Sequence, residues 1–132
     1  MIRALVLALL LAAPVAQAQD RRPTPYYVVD TCDQGGGYRD TIRCIASYTQ
    51  EEDARLNENY RAAMSRLRTP REKIALRDVQ RAWIKDRDAS CRPYLNQRVY
   101  GREGGVEHQR CLYDATQVRA DELDRYGRPR PR

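Results

Sequence analysis

The sequence predicts an all-α fold: a small disulfide-stapled bundle of three main helices, in which an antiparallel helical hairpin carries a third helix. Three observations predict it. Apolar residues recur at helical spacing over three long segments, glycines and prolines cluster between those segments, and the chain has four cysteines. Its 132 residues leave room for one domain, and no internal repeat divides it.

Arg3 is followed by an apolar run from Ala4 to Ala13, then Pro14 and the small-residue site Ala16-Gln17-Ala18. This is the layout of a secretory signal peptide over residues 1–18. The run is too short to span a bilayer as a helix, and no cysteine stands at the expected cut to take a lipid anchor. The mature chain is expected to be exported, either periplasmic or secreted. An even set of cysteines, Cys32, Cys44, Cys91 and Cys111, favours two disulfides in such a compartment. A zinc site would want close cysteine pairs or several histidines, and the chain has only His108, so neither metal nor cofactor is expected.

Lys and Arg number 24 against 18 Asp and Glu, a formal charge of +6, and loss of Arg3 with the signal leaves +5. Excess base can point to nucleic acid, anionic membrane or polyanionic envelope partners. Here Arg and Asp/Glu alternate too evenly for a binding stripe. A solvated surface written in Arg is the simpler reading, and export argues against nucleic acid.

Residues 19–30 are polar and Pro-rich, with a Tyr26-Tyr27-Val28-Val29 patch, and read as an extended arm whose apolar end docks on the domain. The domain spans residues 31–126. It begins with a loop from Cys32 to Gly37, because three consecutive glycines do not sustain regular structure cheaply. The stripe Ile42, Ile45, Leu56, Tyr60, Ala63, Leu67, with Thr49 and Asp53 on the same face, predicts an amphipathic helix. Thr69-Pro70-Arg71-Glu72 ends that helix and starts the next, with Thr69 as N-cap, Pro70 at the first helical position and Glu72 completing a capping box.

The second helix carries Leu76, Gln80, Trp83, Ile84, Arg87 and Cys91 within an arc of roughly 100°. Folding the chain tightly about residue 70 brings Leu56 level with Ile84, Tyr60 with Gln80, and Asp53 with Arg87. The last pair is expected to be a structural ion pair in which Asp53 offsets the desolvation of a buried or half-buried Arg87, and Arg87→Met is expected to cost roughly 3 to 5 kcal/mol by leaving Asp53 unpaired. After Arg92-Pro93 a loop runs to Gly105. It leads to a third helix with His108, Leu112, Ala115, Arg119, Leu123 and Tyr126 on one face, stopped by Gly127 and Pro129. Residues 127–132 are expected to be a disordered basic tail. The predicted core is Leu56, Tyr60, Gln80, Trp83, Ile84, Leu112, Arg119 and Leu123.

Rising ~1.5 Å per residue from the turn, all four cysteines reach the pole opposite the hairpin. Cys91 with Cys111 is the closest cross-helix pairing, which leaves Cys32 with Cys44. Crowding at one pole keeps the other two connectivities open.

Catalysis finds little support. A Cys111–His108 dyad would need a free thiol, which the oxidising compartment removes. The glycine runs match no phosphate-binding pattern, since neither follows a strand. The chain does not read as an enzyme, and no catalytic residue is assigned. Binding is better supported: the loop after Cys91 carries Tyr94, Arg98, Tyr100, Arg102 and Glu103, and Tyr and Arg are enriched at interaction hot spots.

The ordered set Leu56-Asn57, Tyr60, Leu76, Gln80, Trp83-Ile84, Arg87-Asp88, Cys91, Gly104-Gly105, Cys111-Leu112, Thr116, Arg119 and Leu123 resembles the LprI-like lysozyme-inhibitor family over residues 31–126. The resemblance implies a helical, disulfide-bearing domain exported to the bacterial periplasm or cell surface. Its partner would be a lysozyme or another peptidoglycan-active protein, blocked by occlusion without chemistry. Host lysozymes are typically basic, as this chain is, so inhibition requires a local acidic patch, and Glu103, Glu107, Asp86 and Asp88 lie toward the cysteine end. The alternative is a non-enzymatic envelope-associated protein that binds anionic glycan or lipid through its basic surface.

Overall fold

A computed structural model describes residues 25–128. The expected signal peptide, residues 19–24 of the expected arm and residues 129–132 of the tail lie outside the described residues. The elements are α1 (Pro25–Cys32), α2 (Tyr38–Arg66), α3 (Pro70–Cys91), a 3₁₀ turn (Arg92–Leu95), α4 (Gln97–Tyr100) and α5 (Gly104–Arg125), with no strand among the described residues. The fold is all-α.

The arm differs from expectation. Residues from Pro25 onward are helical rather than extended, because proline is preorganised for the first turn and the helix places Val28 and Cys32 on one face. Val28 is buried with Cys32, Ile45 and Tyr113, and the Cys32–Cys44 disulfide ties α1 to α2 with Cα atoms 5.6 Å apart. Burial of Tyr113 pushes its hydroxyl up to about 12.

Between α2 and α3 the capping box is complete. The Glu72 N–H donates to Thr69 Oγ1 at 3.2 Å, and the Thr69 N–H donates to Glu72 Oε2 at 2.9 Å. The bond from the Thr69 N–H holds the Glu72 carboxyl below its ordinary value.

The closest helix packing is not the hairpin but α2 on α5, which run side by side in the same direction. Small side chains permit it: Ala63 and Ala120 are fully buried, in one cluster with Leu56, Leu76 and Leu123. Polar bonds then lock the register. Asn59 Nδ2 donates to the Ala120 carbonyl at 2.8 Å, Arg55 Nη1 to Asp121 Oδ1 at 2.7 Å, and Arg66 Nη1 to the Asp124 carbonyl at 3.0 Å.

α3 stands off from α2. Its inner face carries Trp83 and Arg87 where α5 has alanine and threonine, and bulky contacts keep helix axes apart. Ile84, placed in the core by its spacing, is therefore 41% exposed beside the opening. Tyr60 and Trp83 pack against the core only in part, whereas Leu56, Gln80 and Leu123 are buried. Leu112 and Arg119 are half-buried. At the cysteine pole α1 supplies the packing that α3 does not, and Cys91 is bonded to Cys111 with Cα atoms 5.6 Å apart.

Candidate functional site

Standing α3 off from its neighbours leaves an opening on each flank of Trp83. One is a groove of about 500 Å³ toward α2, bordered by Asp53, Leu56, Asn57 and Tyr60 from α2 and by Arg77, Gln80, Arg81, Ile84 and Arg87 from α3. The other is a pocket of about 510 Å³ toward α5, lined by Tyr94, Glu107, Arg110, Cys111, Asp114, Ala115 and Val118. Trp83 lines both.

Two guanidinium groups hold the indole in place. The Arg87 guanidinium carbon lies 5.1 Å from its ring centroid and that of Arg119 5.9 Å. Arg87 is itself anchored, with Nη1 donating to Asp53 Oδ1 at 3.4 Å and to Thr116 Oγ1 at 3.3 Å, and Nη2 lying 2.9 Å from Asp88. The Asp53 side chain is 46% exposed, so this ion pair sits at the lip of the groove and is not sealed in the core. Arg119 Nε donates to Gln80 Oε1 at 2.9 Å and its Nη1 to Glu122 at 2.8 Å. Spacing pairs Gln80 with Tyr60. The two border the same groove, but the Gln80 oxygen is taken by Arg119, which reaches it from α5.

The loop after Cys91 is structured. Asn96 Oδ1 accepts from the Arg98 N–H at 3.1 Å and caps α4. The Tyr94 ring packs on Tyr100 with centroids 5.1 Å apart, and the Arg102 guanidinium lies 5.6 Å from the Tyr38 ring centroid. Gly104 and Gly105 let this loop close on the bundle. A Cβ on the first would collide with the Tyr94 carbonyl, and one on the second with the Tyr38 hydroxyl. Of the five loop residues singled out by sequence, Tyr94 therefore turns into the pocket beside α5, Arg102 lies over Tyr38, and Arg98, Tyr100 and Glu103 are exposed. Leu95 and Val99, which residue type alone did not mark, are 53% and 67% exposed on the same loop.

Asp114 was also missed. Its Oδ1 is buried without a hydrogen-bond partner. Burial pushes its carboxyl up to about 6, against the pull of Arg110 and with the help of Glu107. The signal was available: Glu107, Cys111, Asp114 and Val118 recur at spacings of four, three and four, which puts them on one helical face. No helix among the described residues is long and apolar enough to cross a membrane.

A family model described as lysozyme inhibitor LprI matches residues 32–123, more than half of the chain. No curated protein and no solved structure matches it.

Proposed function

Because the chain belongs to the LprI lysozyme-inhibitor family, we propose that it is an exported protein that binds a lysozyme and blocks it by occlusion, protecting peptidoglycan. No bond is made or broken in this action; the partner's cleft is covered. The observation that carries the reading is the loop between Cys91 and Gly104. It is rooted by the Cys91–Cys111 disulfide and fixed by the Tyr94–Tyr100 contact, yet it exposes Leu95, Val99 and Tyr100 beside Arg98. A preorganised loop with apolar and aromatic tips loses little conformational entropy on docking, and such side chains make efficient anchors. Arg102 and Glu103 flank these tips, and Tyr94 forms their base.

The test is lysis of peptidoglycan by several lysozyme types in the presence of the purified, oxidised protein. The wild-type chain is expected to inhibit at least one of them. The same chain with residues 94–102 replaced by Gly/Ser is expected to lose inhibition while keeping its helical circular dichroism. Failure against every lysozyme type overturns the reading.

A second reading draws on the groove toward α2, where Arg77, Arg81 and Arg87 surround an indole and a phenol, a lining suited to anionic glycan. Salt separates the two. Binding carried by many exposed Arg weakens steeply above ~0.15 M salt, whereas a shape-matched interface keeps much of its affinity.

A further inference from the structure

The pocket toward α5 presents a problem that the fold does not solve internally. Asp114 keeps one carboxylate oxygen buried and without a donor, in a protein whose Arg residues elsewhere supply donors freely. Its charged neighbours are Arg110, which the structure pairs with Glu107 at 3.3 Å, and Glu107 itself. Two carboxylates thus face one guanidinium. The walls are aromatic and aliphatic, with Trp83 and Tyr94 on one side and Ala115 and Val118 on the other.

We propose that this pocket is the receptor for a lysine or arginine side chain of a basic protein partner, which on the inhibitor reading above is the lysozyme. The aliphatic stem of such a side chain suits Ala115, Val118 and the wall formed by Trp83, whose indole Arg87 and Arg119 already flank; the cation suits the Tyr94 ring, and its charge compensates Asp114. An anionic group would meet the two carboxylates. A neutral apolar group would leave Asp114 uncompensated. The pocket also resolves the charge conflict of a basic inhibitor on a basic target, because attraction is concentrated at one carboxylate inside a mainly basic surface. Asp114 burdens stability through its desolvation, which fits a group retained for binding rather than for folding.

Trp83 is the single tryptophan of the chain, so the pocket carries its own reporter. The oxidised protein is titrated with N-acetylarginine amide and, separately, with the neutral N-acetylcitrulline amide, into the tens of millimolar range at matched ionic strength and about pH 7. A saturable change in Trp83 emission is expected for the cationic amide alone. It should weaken about tenfold or more in Asp114→Asn and persist in Glu58→Gln, whose exposed side chain lies on α2. Lysis assays should show the same about tenfold loss of inhibition for Asp114→Asn. An equal response to both amides, no saturable response, or a response indifferent to Asp114→Asn overturns the proposal. Arginine amide binding without inhibition of any lysozyme supports the pocket and overturns the inhibitor reading. Inhibition that Asp114→Asn leaves intact, with no amide response, does the reverse.

Discussion

The two sides of α5 are built on opposite plans. Toward α2 it presents Ala120, fully buried in one cluster with Ala63, and the seam is closed further by hydrogen bonds from Asn59, Arg55 and Arg66 to carbonyl or carboxylate oxygens of α5. Toward α3 it presents Asp114, Val118 and Arg119, and the contact is made through an indole, two guanidinium groups and open volume. Small residues bring two helices close enough for side chains of one to reach the backbone of the other. Large polar ones hold a helix at arm's length and leave clefts. One plan gives a rigid spine, and the other gives surfaces that a partner can enter.

The widest gap between the two plans is expected in their response to truncation. Leu123→Ala removes a fully buried side chain from the cluster with Leu56, Ala63, Leu76 and Ala120, and is expected to cost about 3 kcal/mol. Ile84→Ala changes a residue of the same bulk on α3 and is expected to cost less than about 0.5 kcal/mol, because that side chain is 41% exposed. Thermal unfolding followed by circular dichroism compares them directly. Equal losses would mean that α3 closes on α2 in solution and that the groove does not exist.

Much of the fold was legible in the sequence because it is written in local signals. Thr69, Pro70 and Glu72 mark a helix start whatever lies around them, and the observed capping box follows from those residue types alone. Interhelical distance is not local. The stripe containing Gln80, Trp83, Ile84 and Arg87 has the period of a core face, and periodicity says which residues share a side without saying how near the next helix comes. That distance depends on Ala63 and Ala120, residues whose smallness makes them easy to overlook. For the candidate site, the loop residues Tyr94, Arg98 and Tyr100 were visible by type. Asp114 was not visible by type: its spacing places it on one face with Glu107, Cys111 and Val118, but only the structure shows its oxygen buried without a donor.

The ion pair between Asp53 and Arg87 sharpens the comparison from a different side. Spacing alone predicts a loss of roughly 3 to 5 kcal/mol for Arg87→Met, the cost of breaking a buried pair and leaving Asp53 unpaired. Asp53, however, is 46% exposed, so water solvates it when its partner leaves. The loss should instead reflect the hydrogen bond to Thr116 and the contact with Trp83, about 2 kcal/mol in total. A double-mutant cycle with Asp53→Asn should then give a coupling below about 1 kcal/mol. A coupling of several kcal/mol would place the pair in a closed interior and bring the α3 flank closer to the α2 seam in character.

Asp114 gives a small stability effect whose sign is opposite to the others. Its carboxyl titrates at about 6 in the folded chain against an ordinary value of 3.8, chiefly because burial penalises the charged form. Between those two values the native state binds more protons than the unfolded chain, so this group makes stability fall as pH rises from about 4 to about 6, after which its contribution is constant. Arg110 and Glu107 are the charged groups beside it on α5, while Trp83 and Tyr94 line the same pocket from α3 and the turn after it. Asp114→Asn should therefore unfold at a higher temperature than the wild type at pH 7, by the equivalent of about 1 kcal/mol once solvent in the pocket is allowed for. The difference should shrink toward pH 4. Glu72, whose lowered carboxyl works in the opposite direction, is common to both proteins and cancels when their curves are subtracted. A variant that is less stable at pH 7 would mean that Asp114 holds the α3–α5 flank together, and the flank would then belong with the seam rather than with the binding surface.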